Sequence, residues 1–166
     1  MKTTKSNNKL SKSFNKKVNN ILKNILSKES TPWLTHNNGK VVDEKGVWGE
    51  IKHNFAPGIY LRQMILNPGS MVISAIHKRD HVWFLLDGEI TVVTEENTQD
   101  YIAPYMGFSK AGTRRVIKAN DYSIFQNVFK NPTDNKNIDY LEDYNFALTI
   151  KEYNEYIKKN KLWQHQ

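Results

Sequence analysis

Two histidines and one arginine carry most of the chemistry this chain offers. His77 and His81 stand four residues apart in a segment that opens at Gly69 and closes at Asp87-Gly88. Side chains along a strand alternate between faces, so positions four apart share one face, and Ala75 shares it with them. Imidazoles gathered there are metal ligands or hydrogen-bonding groups of a polar interior. Arg115, three residues after Gly112, has five donors and no acceptor, so it repels a cation and suits an anion. Three states fit this constellation: interior histidines satisfied by hydrogen bonds, a divalent metal on His77 and His81, or a metal-free pocket. In the third, Arg115 and both imidazoles take a carboxylate or phosphate. Gln63 and Gln126 are the further candidates for ligand binding. Completing a metal shell would call on Gln63, Tyr101, Asn120 or Gln126, all weak ligands. Asp80 falls on the opposite face by parity.

The elements that must position these residues are short strands. Val47–Phe55, Ile59–Leu66, Met71–His77, Val82–Leu86, Ile90–Glu95, Tyr101–Ile102, Gly107–Ser109, Arg114–Ala119 and Tyr122–Phe129 are rich in β-branched and aromatic residues. Turn formers separate them, among them Ala56-Pro57-Gly58, Asn67-Pro68-Gly69, Asp87-Gly88 and Ala111-Gly112. Many short strands at this spacing predict a sandwich or barrel. Trp83 to Leu86, Tyr101, Tyr105 and Phe108 are expected to pack it, with His53 and His165 on the surface.

Helices are expected at both ends. Leu10, Phe14, Val18, Leu22 and Ile25 recur at helical spacing among lysines and asparagines, and Ser30-Thr31-Pro32 ends the pattern. Residues 1–9 are polar and expected to be disordered. Asn131–Asn137 reads as a loop. Thr149-Ile150-Lys151-Glu152 is a capping box, and Ile150, Tyr153 and Ile157 form an apolar stripe behind it.

Of the net charge of +7, all resides in residues 1–30, where eight lysines face one acid; residues 31–166 carry sixteen charges of each sign. Contact with nucleic acid or an acidic partner is therefore expected from residues 1–30, and not from the barrel. The chain has no cysteine, which excludes disulfides and thiolate metal sites. It has no secretory signal pattern and no apolar run near the ~20 residues of a membrane span, so an intracellular, cytoplasmic setting is expected. Phosphate-binding glycine loops, dinucleotide fingerprints and nucleophile motifs are absent from the sequence.

Residues 58–130 resemble a cupin, the double-stranded β-helix or jelly-roll fold. His77 matches the second histidine of the first cupin motif, His81 falls where its glutamate stands, and Ala75 holds the first-histidine position. Lys110-Ala111-Gly112 stands for the Pro-x-Gly turn of the second motif, and Arg115 falls where its histidine would be. The Ile76–His81 and Ala111–Val116 stretches are most similar to small cupin-like proteins encoded by bacteriophages. The resemblance implies a mainly β fold: a single cupin-like jelly-roll barrel over 31–131, an amphipathic helical arm over 1–30, and a loop and C-terminal helix over 132–166. It implies first a non-catalytic structural or interaction module with a degenerate metal site, phage-encoded and virion-associated, forming homo-oligomers or binding neighbouring structural proteins. The alternatives are a metal-dependent enzyme of dioxygenase or isomerase type, with iron, manganese, nickel or zinc on His77 and His81, and a metal-free binder of a small molecule or sugar.

Overall fold

The computed structural model describes residues 12–26, 33–34, 36–37, 40–41 and 45–163. In chain order they form α1 (Lys12–Leu26), β1 (Trp33–Leu34), β2 (His36–Asn37), β3 (Lys40–Val41), β4 (Lys45–Gly46), β5 (Gly49–Ala56), β6 (Gly58–Leu66), β7 (Met71–Ile73), β8 (Ile76–His77) and β9 (His81–Asp87). Then follow β10 (Glu89–Val93), β11 (Thr98–Ile102), β12 (Tyr105–Ser109), β13 (Val116–Ala119), β14 (Ser123–Asn131), α2 (Ile138–Asn145), β15 (Phe146–Ala147) and α3 (Ile150–Trp163). The protein is mainly β, in a jelly-roll-like arrangement. A six-stranded sheet, β12-β9-β14-β6-β5-β4, packs on a five-stranded sheet, β1-β7-β13-β10-β11. The pairings of these sheets are antiparallel except that of β1 with β7.

Alternation along the strands sorts the side chains. On β6, Arg62, Met64 and Leu66 are buried while Leu61, Gln63 and Ile65 are half-buried; on β14, Phe125, Asn127 and Phe129 point inward. Trp83 and Leu85 of β9 are buried, but Phe84 is half-buried and Leu86 is exposed, so this aromatic run does not pack the barrel as a block. The two largest apolar clusters follow from this alternation. The larger includes Trp48, Met64, Val72, Trp83, Leu85, Ile90, Ile117 and Phe125 from both sheets; the smaller is Tyr60, Ala75, Phe129, Leu141 and Phe146. His53 is not a plain surface residue: its Nδ1 lies 2.7 Å from the Tyr60 hydroxyl, and the two rings stack.

Two close approaches need glycine. Gly88 turns β9 into β10 at φ 81°, and a Cβ there would meet the Tyr122 carbonyl oxygen at 2.0 Å. Gly107 of β12 lies beneath the Trp83 indole, where a Cβ would come within 2.2 Å of the ring.

The N-terminal pattern forms a helix that docks on the barrel. Val18 packs with Ile73, flanked by Phe14 and Val116. Leu10, residues 1–9 and Ser30-Thr31-Pro32 lie outside the described residues, as do the side chains of Leu22 and Ile25. After Asn131, which ends β14, the expected loop to Asn137 is present, and α2 and β15 follow it before the last helix, where no element was expected. Asn137 caps α2, its Oδ1 accepting from Tyr140 N at 2.9 Å. Thr149 caps α3 as its pattern predicts: Oγ1 accepts from Glu152 N at 3.2 Å, and Glu152 accepts from Leu148 N at 2.9 Å. No described helix is long and apolar enough to cross a membrane.

Gly107→Ala is expected to destabilise the protein by about 1–3 kcal/mol, because its methyl group must displace the Trp83 indole. Chemical denaturation followed by Trp fluorescence checks both the lost stability and the altered indole environment.

Candidate functional site

His77 and His81 do not share one strand. β8 ends at His77, the chain turns a corner through Lys78, Arg79 and Asp80, and His81 opens β9. The corner is held from two sides. Asp80 is solvent-exposed and accepts from Lys110 Nζ at 2.9 Å and Ala111 N at 2.8 Å, which hold its carboxyl below the usual aspartate range. His77 N donates to Thr113 O at 3.0 Å, and Gly112 N donates to His77 O at 2.8 Å. From the other side β15 pairs with β8, Phe146 opposite His77. Lys78 Nζ reaches the Asp143 carbonyl, Arg79 Nη1 reaches the Tyr144 carbonyl, and the Arg79 guanidinium lies 3.7 Å from the Tyr144 ring centre. Both imidazoles thus turn inward with their centroids 4.2 Å apart.

Arg115 enters the same space just before β13. Its backbone N donates to Ser74 Oγ at 2.9 Å, fixing the chain as its side chain crosses the interior. Nη2 donates to His81 Nε2 at 2.8 Å and approaches His77 Nε2 at 3.5 Å. The guanidinium carbon lies 5.6 Å from the Phe125 ring centre and 5.8 Å from that of Trp83. The residue is 3% exposed, and no carboxylate pairs with it among the described residues. Burial lowers its pKa to about 10, so it stays charged at neutral pH. His81 is pushed down to about 3, first by burial and then by the Arg115 charge; the Arg79 backbone and the Asn127 side chain only partly oppose this. The imidazole is therefore neutral.

Arg62, also buried, does have a carboxylate: its Nη1 lies 3.2 Å from Glu142 Oε1 of α2, itself buried. Arg62, Ser74, His77, Arg115 and Asn127 are the polar residues lining a cavity of about 30 Å³. Met64, Val72, Ile73, Ala75, Ile117, Phe125 and Phe146 complete the lining. That is room for about two water-sized groups. The polar residues form a layer between the two apolar clusters.

The donor set does not fit a divalent metal. The lone pair of His81 that would ligate it is taken by the Arg115 N–H, and the guanidinium stands where a cation would sit. Among the described residues no three of His, Cys, Asp and Glu come together as a metal site.

Of the residues singled out from sequence, His77, His81 and Arg115 meet. Gln63 and Gln126 do not join them: they face each other across β6 and β14, Nε2 to Oε1 at 3.1 Å, on the sheet face opposite Arg62 and Asn127. Tyr101 packs edge-on against Trp83, and Asn120 bonds the surface residues Thr91 and Glu89. Sequence reasoning missed Arg62, Asn127 and Glu142. Strand parity could have found the first two, each one residue away from a glutamine it named and in phase with Met64 or Phe125.

No family model matches the chain, and no curated protein matches it. Solved structures that it is similar to include a cupin superfamily protein from Desulfitobacterium hafniense, with a TM-score of 0.44 and 11% identity over 49% of this chain and 77% of that one. KdgF from a Halomonas species gives 0.45 and 13% identity over 50% and 80%. The EutQ protein of Clostridium difficile gives 0.45 and 14% identity over 55% and 76%.

The state of His81 has a measurable consequence. Between about pH 6.5, where free histidine titrates, and about 3, the unfolded chain binds a proton at this position that the folded chain refuses. This contribution to stability is complete above the upper limit and falls as pH drops through the window, by up to about 1.4 kcal/mol per pH unit. Urea denaturation from pH 7.5 to 4.5 is expected to show that slope, and His81→Gln, which keeps an acceptor for Arg115, is expected to flatten it.

Proposed function

We propose that the chain is a metal-free, non-catalytic binding module whose barrel holds a small anion on Arg115. One observation carries this: a guanidinium 3% exposed, unpaired by any carboxylate among the described residues, lines a cavity beside the His77 and His81 imidazoles. An uncompensated buried charge costs several kcal/mol even after relaxation (on the order of 3–5 kcal/mol), and a fold retains such a residue where a bound anion offsets it. The contacts of the guanidinium with the two imidazoles both leave from Nη2. An enzyme of dioxygenase or isomerase type on His77 and His81 has no metal shell to work with here.

An interaction role has separate support. On the outer face of the six-stranded sheet, Leu86 of β9 and Met106 and Phe108 of the edge strand β12 are exposed beside half-buried Val82 and Phe84. This uncharged patch beside an open strand edge suits a second copy of the chain. The lysines of residues 1–30 support a further contact, nucleic acid included, and a phage-encoded, virion-associated role rests on the motif resemblance alone.

Arg115→Met is expected to abolish stabilisation by added anions while raising the melting temperature of the ligand-free protein, since it removes a buried charge that no carboxylate among the described residues balances. Thermal denaturation with acetate, sulfate or phosphate at matched ionic strength tests this; a destabilised variant together with an unresponsive wild type would make Arg115 structural. Phe108→Asp is expected to shift the protein from dimer to monomer by light scattering without altering the anion response.

A further inference from the structure

The outer face of the six-stranded sheet is uncharged well beyond the patch on β9 and β12. Register places Val128 of β14 and Leu61 of β6 in line with Val82 and Phe108, and Gln126 and Gln63 in line with Phe84 and Met106. Ile124 and Ile65 form the next row. These residues of β14 and β6 are half-buried and point outward by the alternation of their strands. Four strands at the usual spacing make a face about 15–20 Å across. Charged side chains stand at its margins, among them Glu50 and Lys52 of β5, which pair at 3.1 Å, and Lys130 near the end of β14. The outside of the five-stranded sheet is different. There α1 covers Ile73 and Val116, and beside them Lys118, Thr91 and Asp100 form a polar row, with Thr91 Oγ1 bonding Asp100 Oδ1 at 2.6 Å.

Amid the uncharged face Gln63 Nε2 donates to Gln126 Oε1 at 3.1 Å, and among the described residues no other hydrogen bond reaches either side chain. The pair leaves Gln126 Nε2 as a donor and Gln63 Oε1 as an acceptor. Exchanging N and O in both amides reverses the bond and leaves the same two kinds of end. A donor beside an acceptor is complementary to its own image under a two-fold axis, which brings each donor to the other copy's acceptor. We propose that two copies of the chain pack these faces together, with the four amides of Gln63 and Gln126 closing a ring of hydrogen bonds on the axis. This rests on the reading of the patch as a contact for a second copy. The apolar rows around the ring exclude water, the charged margins form a polar rim, and the amides fix the register of two otherwise featureless surfaces. Pairing through the open edge of β12 would instead leave Leu61 and Val128 outside the contact.

Sedimentation equilibrium on the full-length protein tests this, with far-UV circular dichroism reporting whether each variant is folded. Val128→Lys lies two strands in from the β12 edge and is expected to weaken the dimer at least about tenfold, because it brings an unpaired charge into the desolvated centre. Leu61→Lys reads the same contact should Val128→Lys fail to fold. Gln63→Lys and Gln126→Glu are each expected to weaken the dimer alone. An equimolar mixture of the two is expected to recover it, since the axis brings position 63 of one copy onto position 126 of the other. Wild-type dimerisation in folded Val128→Lys or Leu61→Lys would overturn face-to-face packing and leave the second copy at the β12 edge. A mixture no tighter than its two components would overturn the amide ring. A wild type that stays monomeric at its highest soluble concentration would overturn the proposal and the second-copy reading together.

Discussion

A guanidinium removed from water needs a partner, and for Arg115 the partner is imidazole. The 2.8 Å bond to His81 Nε2 requires that nitrogen to be an acceptor, which assigns the proton to Nδ1. A neutral His81 follows, and it is neutral partly because Arg115 is charged, so each residue fixes the other's state. The same bond removes the electron pair a metal would use. Around this contact the interior is built in three tiers: apolar cluster, polar layer, apolar cluster. Phe129 serves two of them, its ring 4.9 Å from that of His81 while it packs with Tyr60, Leu141 and Phe146. Polar layers of this sort are stable only while each member keeps its partner.

The residue before Arg115 meets the same difficulty on the other side of the sheet. Arg114 is buried beneath α1, donates from Nη1 to Asn15 Oδ1 at 3.1 Å and Asn19 Oδ1 at 3.0 Å, and from Nε to Ser74 O at 3.2 Å. Burial lowers its pKa to about 10. The helix offers amide oxygens rather than carboxylates, so this charge too is solvated without being neutralised. Two adjacent arginines thus tie opposite layers to the start of β13: one holds the helix on the barrel, and the other organises the interior. The helix is amphipathic for a local reason as well as a general one, since Asn15 and Val18 belong to its buried face.

Much of this was legible in residues 47–129, because turn glycines and β-branched runs have local causes. Most strands fell near where the alternation placed them, but the expected strand Met71–His77 is broken into β7 and β8, which belong to different sheets, and the one expected from Arg114 begins at Val116; Thr149 and Glu152 announced α3 by a pattern that needs no tertiary contact. Three things were less legible. The meeting of His77 and His81 was expected from parity along one strand, whereas it comes from a corner held by Asp80 and by the C-terminal segment. Gln63 and Gln126 were chosen for their polarity, although Arg62 and Asn127 occupy the inward phase. Finally, α2 is eight residues long, capped by a single asparagine, and stabilised largely by what it touches, Glu142 on Arg62 and Leu141 in the smaller cluster. Short helices of that kind have little periodicity to read. Trp83–Leu86 shows the converse: an unbroken apolar run looked uniformly internal, yet its even and odd members lie on different sides of the sheet.

The cavity floor comes from the far end of the chain. Glu142 and Phe146 reach back to residues 62 and 77, while the barrel walls are complete by Asn131. A ribosome therefore finishes the walls before it makes the floor, and the pocket takes its shape only after the C-terminal segment has docked. The same floor is the weakest joint in the enclosure, a two-residue ladder between β15 and β8 beside one ion pair, set against nine-residue strands elsewhere. Local opening is cheapest where the fewest pairings must break, so the C-terminal segment is expected to exchange its backbone amide hydrogens faster than β6 and β14 do.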